Sequence, residues 1–393
     1  MVVSSAAYKV GNFGSGQSRR DLSRQWISRP ADQKFLSLTA LHDSVSARAE
    51  RSKEIRLDTK TIEFFAPEAP KTIEETHDLW LGLPGGYELA PSHWSFGQLC
   101  GLAKAPASHY RELPSQIVAD ALSYRLRYNR ENELIKLYSA EDSLLAATGP
   151  DYGRIFDREV VKAVQQVAGD GVGDTRWKVP GTLDWASMTY DPNTPVSIDT
   201  TTLYASDRDV FIFLVDDRNP IEVGKLPDGS PDLMFRGFYI TNSEVGSGSL
   251  RLAAFYLRAV CCNRIMWGVE GFEEITMRHS KLAPSRFIEQ ARPALRSFAE
   301  GSSKKLIEGV EKAKAAKIAS DQDEALDFLA SRNFSRKKAI EIIESVENHE
   351  GRKARTAWDF AQGITRVSQN EKNTDTRLEM ETQARKILDK VAS

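Results

Sequence analysis

The sequence has only three cysteines in 393 residues, Cys100, Cys261 and Cys262. Three cannot build a disulfide framework, and a reducing cytoplasm is the simplest compartment for them. No apolar run approaches the roughly 18 residues that span a bilayer, so no membrane segment is expected. The start, "MVVSSAAYKVGNFGSGQSRRDLSRQ", lacks the apolar core of a signal peptide and reads as a flexible arm over 1–28. Internal repeats, heptads and low-complexity tracts are absent. So are GxSxG, the Walker Lys-Ser/Thr and the three-glycine dinucleotide spacing. The six histidines, His42, His77, His93, His109, His279 and His349, form no CxxC, HxH or HExxH pattern. A zinc site joining His279 to Cys261 and Cys262 is disfavoured, because adjacent cysteines on a helix diverge. They read better as small buried thiols. No cofactor is expected.

The net charge of −2 hides a segregation. Residues 1–56 carry ten Lys/Arg against five Asp/Glu, and residues 281–393 carry 22 against 18. The middle is acidic, with 21 against 32. Such ends suit a polyanion or head-to-tail contact between copies, and equally a plain solvated surface.

Periodicity divides the chain further. "RPADQKFLSLTALHDSVSARAERS" reads as a turn and a helix, and "RLDTKTIEFFA" as a short strand. Pro114 opens a helix over "PSQIVADALSYRL". "LSYRLRYN" then alternates, with Leu122, Tyr124, Leu126 and Tyr128 on one side and Ser123, Arg125 and Arg127 on the other. With "LIKLYSA" it predicts a hairpin, followed by a strand in "SLLAATGP" and a helix over 157–168 with Asp157 as N-cap. "RWKVPGTLDWASMTY", "TTLYASD", "DVFIFLVDD" and "MFRGFYITN" predict a second strand-rich block. From about 284 the pattern is helical, with a break near Gly301. Ser335 caps a helix after Asn333–Phe334.

The stretch "RGFYITNSEVGSGSLRLAAFYLRAVCCNRIMWG" predicts a strand, a Gly/Ser turn and an amphipathic helix. Leu250, Ala253, Ala254 and Leu257 form the buried stripe of that helix, and Arg251 and Arg258 point outward on one side. Backbone N–H groups at such a helix start attract anions. Glu244 inside the turn would repel a phosphate, so the turn reads as a packing turn.

This stretch also carries a resemblance. "FYITNSEVGSGSLRL…YLRAVCCNRIMWG…RH" resembles the signature of the phage- and plasmid-borne family catalogued as domain of unknown function 932. "RPADQKFLSL", "LYASDRDVFIFLVDDRNPIEV" and "TAWDFAQGITRVSQ" support it, so the resemblance covers roughly residues 25–390. It implies a protein of mobile elements in a bacterial host cytoplasm and supplies no catalytic residues.

For nucleic acid, Arg125, Arg127, Arg130 and Lys136 lie on or beside the expected hairpin, with Tyr124, Tyr128 and Tyr138. Basic groups would hold the backbone while aromatics stack on bases. Alternation fits equally well tyrosines facing the core and arginines facing water. Hairpin, strand and helix are also the core order of single-strand annealing proteins, a likeness of topology alone. The pair "DEALDFLASRNFSRKKAIEII" has the length of a helix-turn-helix, with Arg336, Lys337 and Lys338 where phosphates are met. Asp207, Asp209, Asp216, Asp217 and Glu244 flank strands and could hold Mg²⁺ for nuclease chemistry.

The expected architecture is α+β: a central antiparallel or mixed sheet with packed helices. Its parts are an arm over 1–28, an α+β core over 29–283 and a helical region over 284–393. The expected function is that of a non-enzymatic, homo-oligomeric DNA-binding protein acting on single strands in replication or recombination. Its contacts would be Arg125, Arg127, Tyr128, Arg130, Lys136, Arg251, Arg258, Arg336, Lys337 and Lys338. The alternatives are a metal-dependent nucleic-acid enzyme and a protein-only structural or host-interaction factor.

Overall fold

The alternating segments assemble into two separate sheets, where one was expected. The computed structural model describes residues 8–9, 29–72, 75–128, 134–180, 194–258, 264–265, 275–302, 304–370 and 374–392. The first sheet comprises β1 (Tyr8–Lys9), β3 (Ser52–Asp58), β4 (Glu63–Phe65), β5 (Asp78–Leu83), β6 (Tyr87–Pro91), β7 (Leu134–Ala140) and β8 (Ser143–Thr148). Its order is β1-β5-β6-β8-β7-β3, with β4 also on β5, and β6 and β8 run parallel. The second comprises β2 (Lys34–Phe35), β9 (Trp177–Lys178), β10 (Leu203–Ala205), β11 (Val210–Lys225), β12 (Pro231–Asn242), β13 (Leu250–Arg258), β14 (Arg264–Ile265) and β15 (Ile275–Met277). It is ordered β14-β13-β12-β11-β10-β2, with β15 on β13 and β9 on β11, all antiparallel. The α+β class stands.

Two segments take the opposite secondary structure from the one expected. Residues 122–128 are not a strand. They finish α4 (Ser115–Arg127), which follows α1 (Leu38–Glu50), α2 (His93–Leu102) and α3 (Ala107–Tyr110). Leu122 and Leu126 also sit at the 3.6-residue spacing that begins at Val118, and all three are fully buried against the first sheet. The predicted Arg/Tyr hairpin therefore does not exist, and with it goes the topological likeness to annealing proteins.

Residues 250–258 are not a helix. They form β13, paired along its length with β12. Both faces of this strand are covered. Leu250, Leu252 and Ala254 enter one core, and Ala253, Phe255 and Leu257 another. A strand buried on both sides reads as a continuous apolar run, which a helical pattern also fits. Gly237 on β12 lies under Phe255, where an added Cβ would fall 2.1 Å from the ring. Smaller departures follow the same physics. "RLDTKTIEFFA" is two strands joined by a 3-10 turn at Thr59–Thr61. In "RWKVPGTLDWASMTY" the strand covers Trp177–Lys178, and 181–193 lie outside the described residues.

One face of the second sheet packs on α1, α5 (Asp157–Ala168) and the long helix after β15. That helix has three parts: α6 (Ala283–Arg286), a π-turn (Phe287–Ala291) and α7 (Arg292–Glu300). Pro293 explains the π-turn, because its ring crowds the preceding carbonyls and it has no N–H to donate. The other face is an aromatic layer of Tyr204, Phe211, Phe213, Phe235, Tyr239 and Phe255.

Among the described residues five more helices follow: α8 (Lys304–Ala315), α9 (Gln322–Ala330), α10 (Arg336–Glu350), α11 (Ala357–Gln369) and α12 (Thr374–Ala392). They share a third core with Ile221, Val223, Met234 and Tyr256 of the second sheet. The expected boundary at 283/284 falls inside α6, after its first residue. Yet Phe287, Leu295 and Phe298 beyond it belong to the core of the second sheet. Among the described residues no helix is long and apolar enough to cross a membrane.

Candidate functional site

The turn after β12 packs into the junction between the two sheets. Trp94 Nε1 and Gln98 Nε2 donate to the Val245 carbonyl at 3.1 and 2.9 Å. Tyr152 Oη donates to the Ser243 carbonyl at 3.1 Å, and Arg154 donates to that of Glu244. Asn242, Ser243, Glu244 and Val245 are all buried. The turn is thus bound by protein groups, as a packing turn. The strand β13, not a helix, follows it.

Glu244 is the centre of this interlock. Its carboxylate accepts from the Asp157 backbone N–H at 3.0 Å and from Tyr138 Oη at 3.3 Å, and lies 3.0 Å from Arg48 Nη2. Arg48 also reaches Asp157 at 2.7 Å. Asp157 was expected to cap a helix, but Phe156 holds the N-cap position. The Asp157 carboxylate instead accepts from Asn242 and Arg48. Burial first, then the charge of Glu244, pushes the Asp157 carboxyl well above the usual range, against the pull of Arg48. Beside it, His279 stacks on Tyr152 with ring centroids 5.1 Å apart. Burial first, then Arg154, lowers its imidazole to about 4, against a bond to the Gly153 carbonyl. Sequence reasoning missed Arg48, Arg154 and Tyr152 as a group. Arg48 and Asp157 are 109 positions apart, and no local pattern joins them.

The acidic residues considered for Mg²⁺ are not brought together. Asp209 takes both guanidinium arms of Arg29 at 2.8 and 2.7 Å. Asp216 is bound by Arg176 and Asn219, and Asp217 lies 3.3 Å from Lys178. Asp207 stands exposed in a turn. Among the described residues no group of three His, Cys, Asp or Glu could hold a metal ion. Cys261 and Cys262 lie outside the described residues.

The basic candidates separate into distinct places. Arg258 was expected to point outward. It is 1% exposed and donates to Asp232 at 2.6 and 2.9 Å and to Glu350 at 2.5 and 3.1 Å. It fastens the C-terminal helices to the second sheet. Arg251, seven positions earlier on the same strand, faces the opposite side and is exposed. Lys136 donates to the Tyr152 carbonyl at 2.8 Å, beside Glu54. Arg336 and Lys337 are exposed at the start of α10, while Lys338 pairs with Glu341 at 2.8 Å. Arg130 lies outside the described residues.

Arg125, Arg127 and Tyr128 do come together, with Tyr124, at the end of α4. Tyr124 and Tyr128 are each 64% exposed, and their rings lie 4.9 Å apart. Four residues separate them, so one exposed edge of the helix carries both. Ile117, 52% exposed, continues that edge. Arg125 and Arg127 flank it and are themselves exposed. Arg125 Nε donates to the Ala103 carbonyl at 3.0 Å, which holds the guanidinium in place. Arg127 pairs with the exposed Glu63, a contact that contributes little in water. Of the two orientations left open by the alternation, Tyr124 and Tyr128 take the solvent-facing one. Tyr138 is buried.

A family model described as a domain of unknown function (DUF932) matches residues 176–391, more than half of the chain. The chain belongs to that family. No curated protein and no solved structure matches it. The matched span holds most of the second sheet and the C-terminal helices, whereas the Tyr/Arg edge of α4 lies before it.

Proposed function

We propose that this chain is a DNA-binding protein of a phage or plasmid, acting on single strands in the bacterial cytoplasm. The observation that supports it is the solvent-facing pair Tyr124 and Tyr128, flanked by Arg125 and Arg127. Two large aromatic side chains exposed side by side serve no packing need. Bases stack on such rings whatever their sequence, and neighbouring guanidinium groups hold the phosphates. Arg336, Lys337 and Arg251 extend the basic surface elsewhere, and self-association would line several platforms along one strand.

The test is fluorescence anisotropy of a labelled oligothymidylate with the full chain at low and high salt. Salt-sensitive binding that weakens in Tyr124→Ala and Arg125→Ala supports the reading. Failure to bind at low salt overturns it. Ile117 on the same edge favours a second reading, a protein-docking stripe. In that case Ile117→Asp abolishes capture of a host protein while oligonucleotide binding is absent throughout.

A further inference from the structure

A second surface feature lies on the opposite kind of ground, in the second sheet's helical layer. An open groove of about 550 Å³ runs between α5 and the helix interrupted by the π-turn. Its floor is aliphatic, with Ala163 and Val167 on one side and Ile288 and Pro293 on the other. Ile288 is 58% exposed, a large apolar side chain left facing water at the widened turn. One rim carries Arg292 and Arg296, four positions apart and so on one face of the helix. Arg292 donates to a neutral partner, Gln166, across the groove. Neither arginine forms an ion pair among the described residues. By contrast, Arg29, Arg48, Arg176 and Arg258 are each matched to a carboxylate.

We propose that this groove binds an aliphatic carboxylate, with its head on Arg292 and Arg296 and its chain along the apolar floor. The volume falls within the range of small-molecule sites. Guanidinium forks match a carboxylate in two-point geometry. Among the described residues the lining holds no aromatic ring, which favours an acyl chain over a base or an aryl group. Glu300 closes the end of the groove beyond Arg296 and repels an anion there. The chain therefore runs from the arginines back towards Ile288.

The experiment is calorimetric titration of the full chain with dodecanoate below its micelle concentration, with dodecanol as the uncharged control. Binding of one dodecanoate per chain is expected, at least tenfold tighter than dodecanol. Arg292→Gln with Arg296→Gln should remove that preference, and Val167→Trp should abolish binding by filling the groove. Thermal melting of each variant confirms that it folds. Absence of dodecanoate binding overturns the proposal. So does binding that the paired arginine variant leaves unchanged. Oligonucleotide binding is measured separately and is unaffected by either result.

Discussion

Arg48 Nη2 lies 3.0 Å from Glu244 Oε1 at the seam between the two sheets, with α1 supplying one and the β12–β13 turn the other. Glu244 is 2% exposed, so its removal leaves Arg48 with Asp157 as a carboxylate partner and strips partners from Tyr138 and the Asp157 N–H. Breaking a buried ion pair from one side costs roughly 3–5 kcal/mol. Glu244→Ala should therefore lower the unfolding free energy, by no more than that range because Asp157 remains beside Arg48. Replacing Asp207, exposed and outside any such network, should leave the unfolding free energy within about 0.5 kcal/mol of the parent. Urea titration followed by tryptophan emission distinguishes the two.

His279 gives the same seam a pH dependence. Its folded value, about 4, lies below the ordinary 6.5. Between those values the unfolded chain binds a proton that the folded chain does not. Stability should then fall as pH drops from about 6.5 towards 4, by at most ~3 kcal/mol and less with partial solvent access. Asp157 works in the opposite sense. Its raised folded value makes the folded chain bind the extra proton, so its contribution declines as pH rises above the ordinary carboxylate range. The measured profile is the sum, and single variants separate it. His279→Gln should remove the acid-side loss, and Asp157→Asn should flatten the decline at higher pH. A His279→Gln profile identical to the parent would contradict the assignment.

The sequence showed element existence better than element type. The helix around Val160 and Val164 and the strand "DVFIFLVDD" were legible because burial on one face, or on both, leaves a single period. The end of α4 and all of β13 were not. Leu122 and Leu126 satisfy periods of both 2 and 3.6, and β13 is apolar on both sides, so neither segment carried a deciding period. The Tyr/Arg cluster was legible as composition and wrong as geometry. The interlock of Arg48, Asp157 and Glu244 was illegible, because its members are brought together only by tertiary packing.

Gly237 is a position where the strand pattern alone says little and the neighbour says much. A methyl group there meets the Phe255 ring at 2.1 Å, with that ring already stacked on Phe213 at 4.5 Å. Overpacking of this kind costs about 1–3 kcal/mol or more. Gly237→Ala should destabilise the chain by that amount, and Gly237→Ala with Phe255→Leu should recover part of it. A double-mutant cycle from urea midpoints reads the coupling. Additive losses would mean that Phe255 is not the obstacle.

The edge of α4 makes separable demands on its tyrosines and arginines. Single-stranded binding releases about 0.7 counterion per phosphate neutralised. Arg125→Ala and Arg127→Ala should each flatten the plot of log affinity against log salt by roughly that unit. Arg127 should show the smaller loss of affinity, because Glu63 competes for it. Tyr124→Ala and Tyr128→Ala should weaken binding by about 1–3 kcal/mol each with the slope unchanged, since stacking moves no ions. Tyr→Phe at either position keeps the ring and should keep the affinity. Slopes that respond to the tyrosines, or affinities indifferent to all four residues, would place the strand elsewhere on the protein.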